Sequence, residues 1–149
     1  NKKVVSIPSY TPEESRREQK DFCPKTKKIL FKKSYLIPLI NLAYARSGDK
    51  GNHANIGIIA RKKEYFNFID SELNPSTISQ FFIHVVQGDV LKWVLPGVNG
   101  LNFLLKNSLG GGGMASFNID PQGKAYAQQI LEYPIPVTKE IFDRFQNKN

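Results

Sequence analysis

From Leu39 onward, short apolar runs alternate with polar segments in a pattern that predicts a packed α+β domain. "LINLAYAR" is apolar, of strand length and followed by Ser-Gly-Asp, which predicts a buried strand ending near Arg46. "NIGIIAR" predicts a second strand ending at Arg61, with a polar loop between the two. "KEYFNFIDSEL" sets Tyr65, Phe68, Ile69 and Leu73 at helical spacing, so one face is expected to be buried. A second helix is expected from Asn74 as N-cap and Pro75 at the first helical position. Its stripe of Ile78, Phe81, Phe82, Val85 and Val86 runs towards Gly88 as a left-handed C-cap, and His84 beside that stripe reads as a packed or half-exposed histidine.

"DVLKWVLPG" alternates as a strand, and its larger side chains favour the Leu91, Trp93 and Leu95 side as the inward one. "LNFLLKNSL" fits either a strand or a short helix, and four consecutive glycines follow, Gly110 to Gly113. "MASFNI" reads as a strand, and Asp120-Pro121 as the start of a helix through "QGKAYAQQILEY". "PIPV" is at most a short edge strand because of its prolines, and the tail can add a helical turn or two with Ile141, Phe142 and Phe145 inward. This order predicts an α+β sandwich with helices packed on one sheet face, occupying residues 38–149.

Residues 1–37 lack amphipathic order, although Thr11, Pro12, Glu13 and Glu14 can start a short polar helix. Charge separates this arm from the domain. Of the net charge of +8, residues 1–37 carry +6, with ten Lys/Arg against four Asp/Glu, and residues 38–149 carry only +2. The arm is either a solvated linker or a docking arm for an acidic surface, with protein partners expected through residues 1–37. A near-neutral domain disfavours a broad nucleic-acid face, which leaves RNA binding by the arm as a weaker reading. One cysteine, Cys23, excludes an internal disulfide and fits a reducing compartment, the mitochondrial matrix or the cytoplasm. The first residue is Asn1, which suggests residues upstream, a cleaved presequence among the options. No apolar run approaches the ~20 residues a membrane helix needs. Two histidines 31 positions apart, without Cys or carboxylates at ligand spacing, give no reason to expect a metal or a cofactor.

"ARSGDKGNHANIGIIAR", residues 45–61, holds the densest chemistry. Arg46 can present a guanidinium fork to a carboxylate or phosphate, Lys50 adds a mobile charge, and Asp49 can pair with either. Gly48 and Gly51 permit tight turning, and Asn52 and Asn55 can form Asx turns or present amides. Ser47 and His53 do not make a recognisable nucleophile and base, so catalysis by this chain alone is not expected. The segment is either an anion-binding loop or a self-bonded structural turn. Gly110 to Gly113 is likewise either a flexible connection or a cradle of backbone N–H groups; it matches neither phosphate-loop spacing nor a dinucleotide fingerprint.

Taken with "LPGVNGLNFLLKNSLGGGGMASFNIDPQGKAYAQQIL", the segment resembles the small C-terminal domain of the acyclic terpene utilisation protein AtuA and its stand-alone relatives, over about residues 38–137. The resemblance implies a ferredoxin-like α+β fold and a link to catabolism of acyclic terpenes and branched acyl-CoA compounds. It also joins Arg46, Ser47, Gly48, Asp49, Lys50 and Gly51 with Gly110, Gly111, Gly112 and Gly113 into one candidate ligand-binding constellation, to which Asn52 and Asn55 are added from their chemistry. The large N-terminal AtuA domain has no counterpart in these residues, so the chain reads either as a C-terminal piece or as a stand-alone subunit. Two functions follow: a binding module for an anionic small molecule such as an acyl-CoA, or a non-catalytic subunit of a larger, mitochondrial assembly. An oligomer or complex subunit is expected in both.

Overall fold

A computed structural model describes residues 35–147. The arm residues 1–34, including the helix expected at Thr11 and Cys23, lie outside the described residues. Strand β1 (Tyr35–Pro38) starts the described fold and pairs antiparallel with β6 (Pro134–Val137), so Tyr35 to Ile37 belong to the packed unit. Ile37 contributes to the core.

A four-stranded antiparallel sheet forms the body, in the order β2-β3-β5-β4, from β2 (Ala43–Lys50), β3 (His53–Ala60), β4 (Val90–Leu95) and β5 (Gly100–Leu105). Helices α1 (Lys63–Glu72), α2 (Pro75–Phe81), α3 (Tyr126–Leu131) and α4 (Lys139–Gln146) complete an α+β fold. None of the described helices is long and apolar enough to cross a membrane.

Alternation along the strands decides which sheet face is covered. Ala54, Ile56 and Ile58 on β3 and Leu101, Phe103 and Leu105 on β5 are buried, while Asn55, Gly57 and Ile59 point the other way. Tyr65 and Ile69 of α1, Ile78 of α2 and Tyr126 and Ile130 of α3 join the same core cluster. Phe82 stacks on Tyr126 with ring centroids 5.1 Å apart, bridging the α2 end to α3. Asn74 Oδ1 accepts the Thr77 N–H at 3.0 Å and Pro75 stands at the first helical turn of α2, as the sequence predicts.

Several expectations change. Helix α2 stops at Phe81, and Val85 and Val86 follow in a turn that tucks them partly against the core. Gly88 is not its cap; it approaches β5 closely, where a Cβ would lie 2.9 Å from the Lys106 Cβ, and its N–H donates to Lys106 O. "MASFNI" forms no strand, only a 3-10 turn over Gly113–Ala115 and bends. Helix α3 starts at Tyr126 because Asp120 instead gathers the Lys124 and Ala125 N–H groups, at 2.9 and 2.8 Å, into a preceding turn.

Strand β4 is turned over relative to the expectation. Val90, Lys92 and Val94 oppose Leu105, Phe103 and Leu101 on the core side, and Trp93 and Leu95 stand exposed. Size does not choose the face here; a buried charge pair does. Lys92 Nζ lies 2.7 Å from the buried Asp70 carboxylate and donates to Asp70 O at 2.8 Å, while its stem packs near the Phe103 ring. Removing the cation takes its charge away from the buried Asp70 carboxylate. Lys92→Met is expected to cost about 3 kcal/mol in urea unfolding, and adding Asp70→Leu to recover most of that loss.

Candidate functional site

Strand β2 does not stop at Arg46 but continues through the polar residues to Lys50, paired with His53 of β3. The expected polar loop is therefore a β-hairpin whose turn is only Gly51 and Asn52. Gly51 has φ +65° at the first central position, where a II′ turn needs a positive φ. Alternation then separates the segment: Ser47 and Asp49 point to the helix side, and Arg46, Gly48 and Lys50 to the open side.

The hairpin tip is fastened to the glycine run. Asn52 O accepts both the Ser108 and Leu109 N–H groups, at 3.0 and 3.2 Å, and Asn52 Oδ1 accepts the Gly111 N–H at 2.7 Å. Its amide donates to Asn107 Oδ1 at 3.3 Å, and the Asn107 N–H donates to His53 Nδ1 at 3.0 Å. Gly112 presses its backbone onto the turn, where a Cβ would collide with the Gly51 carbonyl oxygen. Gly110 to Gly113 all have positive φ, between 50° and 105°, a run of left-handed conformations that only glycine adopts without strain.

Beneath the tip, two buried hydroxyls are fully engaged. Ser47 Oγ donates to Lys124 O at 3.0 Å and accepts from the Ala127 N–H at 2.9 Å, tying β2 to the start of α3. Ser108 Oγ accepts the Ala54 N–H and donates to Leu105 O. Tyr126 Oη donates to Ser108 O at 2.8 Å; burial, and then the nearby Asp120 charge, push its phenol above the ordinary value. No buried side-chain nitrogen or oxygen among the described residues lacks a hydrogen-bond partner.

The structure brings most residues of the sequence-predicted constellation together. Ser47, Gly48, Asp49, Gly51, Asn52 and Gly110 to Gly113 are brought together, with Gly48 under the Lys124 ammonium and Asp49 3.6 Å from it. Asn55 stands apart, donating to Asn102 Oδ1 on the open sheet face. Lys50 Nζ bonds the Asp49 carbonyl at 3.1 Å. Arg46 is exposed and takes part in no hydrogen bond or ion pair among the described residues. Sequence reasoning missed Lys124, Ser108, Asn107 and Tyr126, which complete the fastening. Only the Tyr126 position, at helical spacing with Ile130, carried a signal. His84 is exposed, 6.3 Å from the Phe82 ring.

The two motifs thus form one structural unit, and a model of the AtuA ferredoxin-like domain matches residues 37–136. The chain belongs to the AtuA ferredoxin-like domain family. None of the curated proteins and none of the solved structures matches it. In this AtuA ferredoxin-like domain the clefts along Leu36 and Phe142, Asn74 and Tyr133, and Ile40 and Phe145 include no residue of the constellation. Among the described residues no group of three His, Cys, Asp or Glu could hold a metal ion.

Beyond the fastening, the chain leaves the domain surface. Met114, Phe117 and Ile119 have side chains 106%, 105% and 105% exposed, the most exposed large apolar residues described. The glycine run turns the chain outward, and the Asp120 turn brings it back.

The same geometry separates the four glycines. Gly112→Ala meets a backbone oxygen as well as a positive φ and is expected to lower stability by about 3 kcal/mol or more in chemical denaturation. Gly113→Ala has open space and only the backbone conformation against it, so about 1 kcal/mol is expected.

Proposed function

We propose that this domain is a non-catalytic accessory module that engages a protein partner through the projecting segment 114–119. The full exposure of Met114, Phe117 and Ile119, on a segment whose two ends are hydrogen-bonded, carries this reading. Three large apolar side chains fully in water cost free energy that a partner's apolar groove recovers, at about 25 cal/mol per Å² buried. The fixed ends reduce the ordering cost of binding. The engagement of Ser47, Ser108 and His53 Nδ1 in structural hydrogen bonds supports a binding role over chemistry.

In this reading the chain acts within a larger assembly, in the mitochondrial matrix or the cytoplasm, and the basic residues 1–34 supply a second contact to an acidic surface. Met114, Phe117 and Ile119 changed together to Ser should leave the melting temperature unchanged, because none of them packs on the domain. The same variant, expressed in place of the native chain, should sediment free of its native assembly. Co-sedimentation equal to that of the unaltered chain rejects the reading.

One observation favours a second role. Arg46 is exposed and takes part in no hydrogen bond or ion pair among the described residues; it shares one face of the edge strand β2 with Lys50, with the Lys124 ammonium at Gly48 between them, an arrangement suited to the phosphates of an acyl-CoA, the ligand class suggested by the family's metabolic setting. Calorimetry with a panel of CoA esters is then expected to show binding that Arg46→Ala weakens about tenfold, the loss of roughly one charge-assisted hydrogen bond. Absence of heat across the panel dismisses the ligand.

A further inference from the structure

The open side of the four-stranded sheet is covered by no helix or strand among the described residues. Strand register arranges its side chains in three rows across β2, β3, β5 and β4. The first runs Tyr44, Ile59, Gly100, Leu95; the second Arg46, Gly57, Asn102, Trp93; the third Gly48, Asn55, Leu104, Leu91. Tyr44, Ile59, Trp93, Leu95 and the adjoining Val98 are all exposed, between 41% and 59% of the surface being free at each. The polar side chains at the centre are Asn55 and Asn102, already hydrogen-bonded to each other. Burying this centre therefore strands little polar capacity.

We propose that two copies of this chain pair through this sheet face, about a two-fold axis parallel to the strands. The inference uses a different surface from the partner contact at residues 114–119 and stands independently of it, whereas it buries Arg46 and so competes with the CoA-ester reading.

The pattern of the rows selects both the occupant and the axis. A two-fold axis parallel to the strands keeps each row opposite itself and reverses the strand order, so β2 faces β4 of the second copy. Arg46 then meets the exposed Trp93 ring, a cation on an aromatic face, twice by symmetry. Asn102 lies over Gly57, Ile59 over Gly100, and Tyr44 beside Leu95, which puts bulk against glycine at the centre. An axis across the strands instead sets Arg46 against Arg46, a like-charge contact in a desolvated setting. Gly57 is a true dimple: a Cβ there would meet only Arg46 O, at 3.9 Å, and its φ is not positive. Nothing in the isolated domain requires glycine at that position, and a close approach from outside accounts for it.

The area is compatible with a reversible dimer. Four strands about 4.8 Å apart and six residues at about 3.3 Å each give a flat patch of roughly 400 Å² per copy. Two copies with side-chain relief and the Val98 rim approach the lower bound of specific interfaces, about 1,200 Å² in total. Aligned sheets rotate by about 30°, which keeps the central row in contact while the corners part. A patch at this lower bound fits a weak, reversible association.

Trp93 is the only tryptophan in the chain, so its emission reports this face alone. Sedimentation velocity on the full chain from about 1 to 200 μM should show monomer passing to dimer, and Trp93 emission should shift to the red on dilution over the same range. Gly57→Arg should remain folded, with a melting temperature equal to or above that of the unaltered chain, because its side chain has room in the monomer and glycine weakens a strand. It should be monomeric at every concentration. A monomer throughout the range for the unaltered chain overturns the proposal, as does a folded Gly57→Arg that still dimerises.

Discussion

The backbone carbonyl of Asn52 is the point on which the rest of the domain depends. A carbonyl has two lone pairs, and this one accepts the N–H groups of two successive residues, Ser108 and Leu109, from the segment that follows β5, the strand beside β3. Leu109 is fully buried, so its N–H has no access to water and needs such a partner. The side chain of the same residue holds Gly111, and the turn that aims Asn52 exists because Gly51 has a positive φ. Hairpin and glycine run are consequently two halves of one joint. Neither half has a reason for its composition alone: the hairpin tip would be an ordinary turn, and four left-handed residues would be an entropic cost without return.

The polar residues near the joint serve the same end. Ser47 sits on the buried face of β2 as both donor and acceptor for residues nearly eighty positions away. Ser108 repeats the device between β3 and β5, and Tyr126 closes the path from α3. A hydroxyl with both functions satisfied can be buried at little cost, whereas an apolar replacement would leave two backbone groups without partners. Chemistry that looks reactive in the sequence is thus largely the hydrogen-bond closure of a small core. The reactive-looking groups outside that closure, Arg46 and Lys50, point to the opposite face.

This division explains what could be read from the chain and what could not. Periodicity located β3, α1, the start of α2 and α4, because each has an apolar face set by its own residues, and α2 and α4 also carry side-chain caps in Asn74 and Thr138. It placed the end of β2 too early because Ser47 and Asp49 look like loop residues until their partners, Lys124 and Ala127, are known. It turned β4 over because side-chain size cannot reveal that Asp70 receives Lys92. It made "MASFNI" a strand because apolar residues were assumed to seek a core, and these three do not. The pairing of the two motifs was legible through family resemblance, and its mechanism, the Asn52 carbonyl, was not, since backbone hydrogen bonds leave no mark on residue type.

A domain whose buried polar groups are closed while its apolar groups are partly open has a definite tendency. Among the described residues no buried side-chain nitrogen or oxygen lacks a hydrogen-bond partner, while large apolar groups stand exposed, Met114, Phe117 and Ile119 on one side and Trp93, Leu95, Ile59 and Tyr44 on another. These groups cannot reach one core together, because the joint at Asn52 fixes the projecting segment beyond the hairpin tip while the sheet register fixes the open face. Rearrangement within a single chain would have to break the hydrogen bonds of that joint to cover either surface. The proposed contacts with other chains would cover both surfaces without breaking any of these hydrogen bonds.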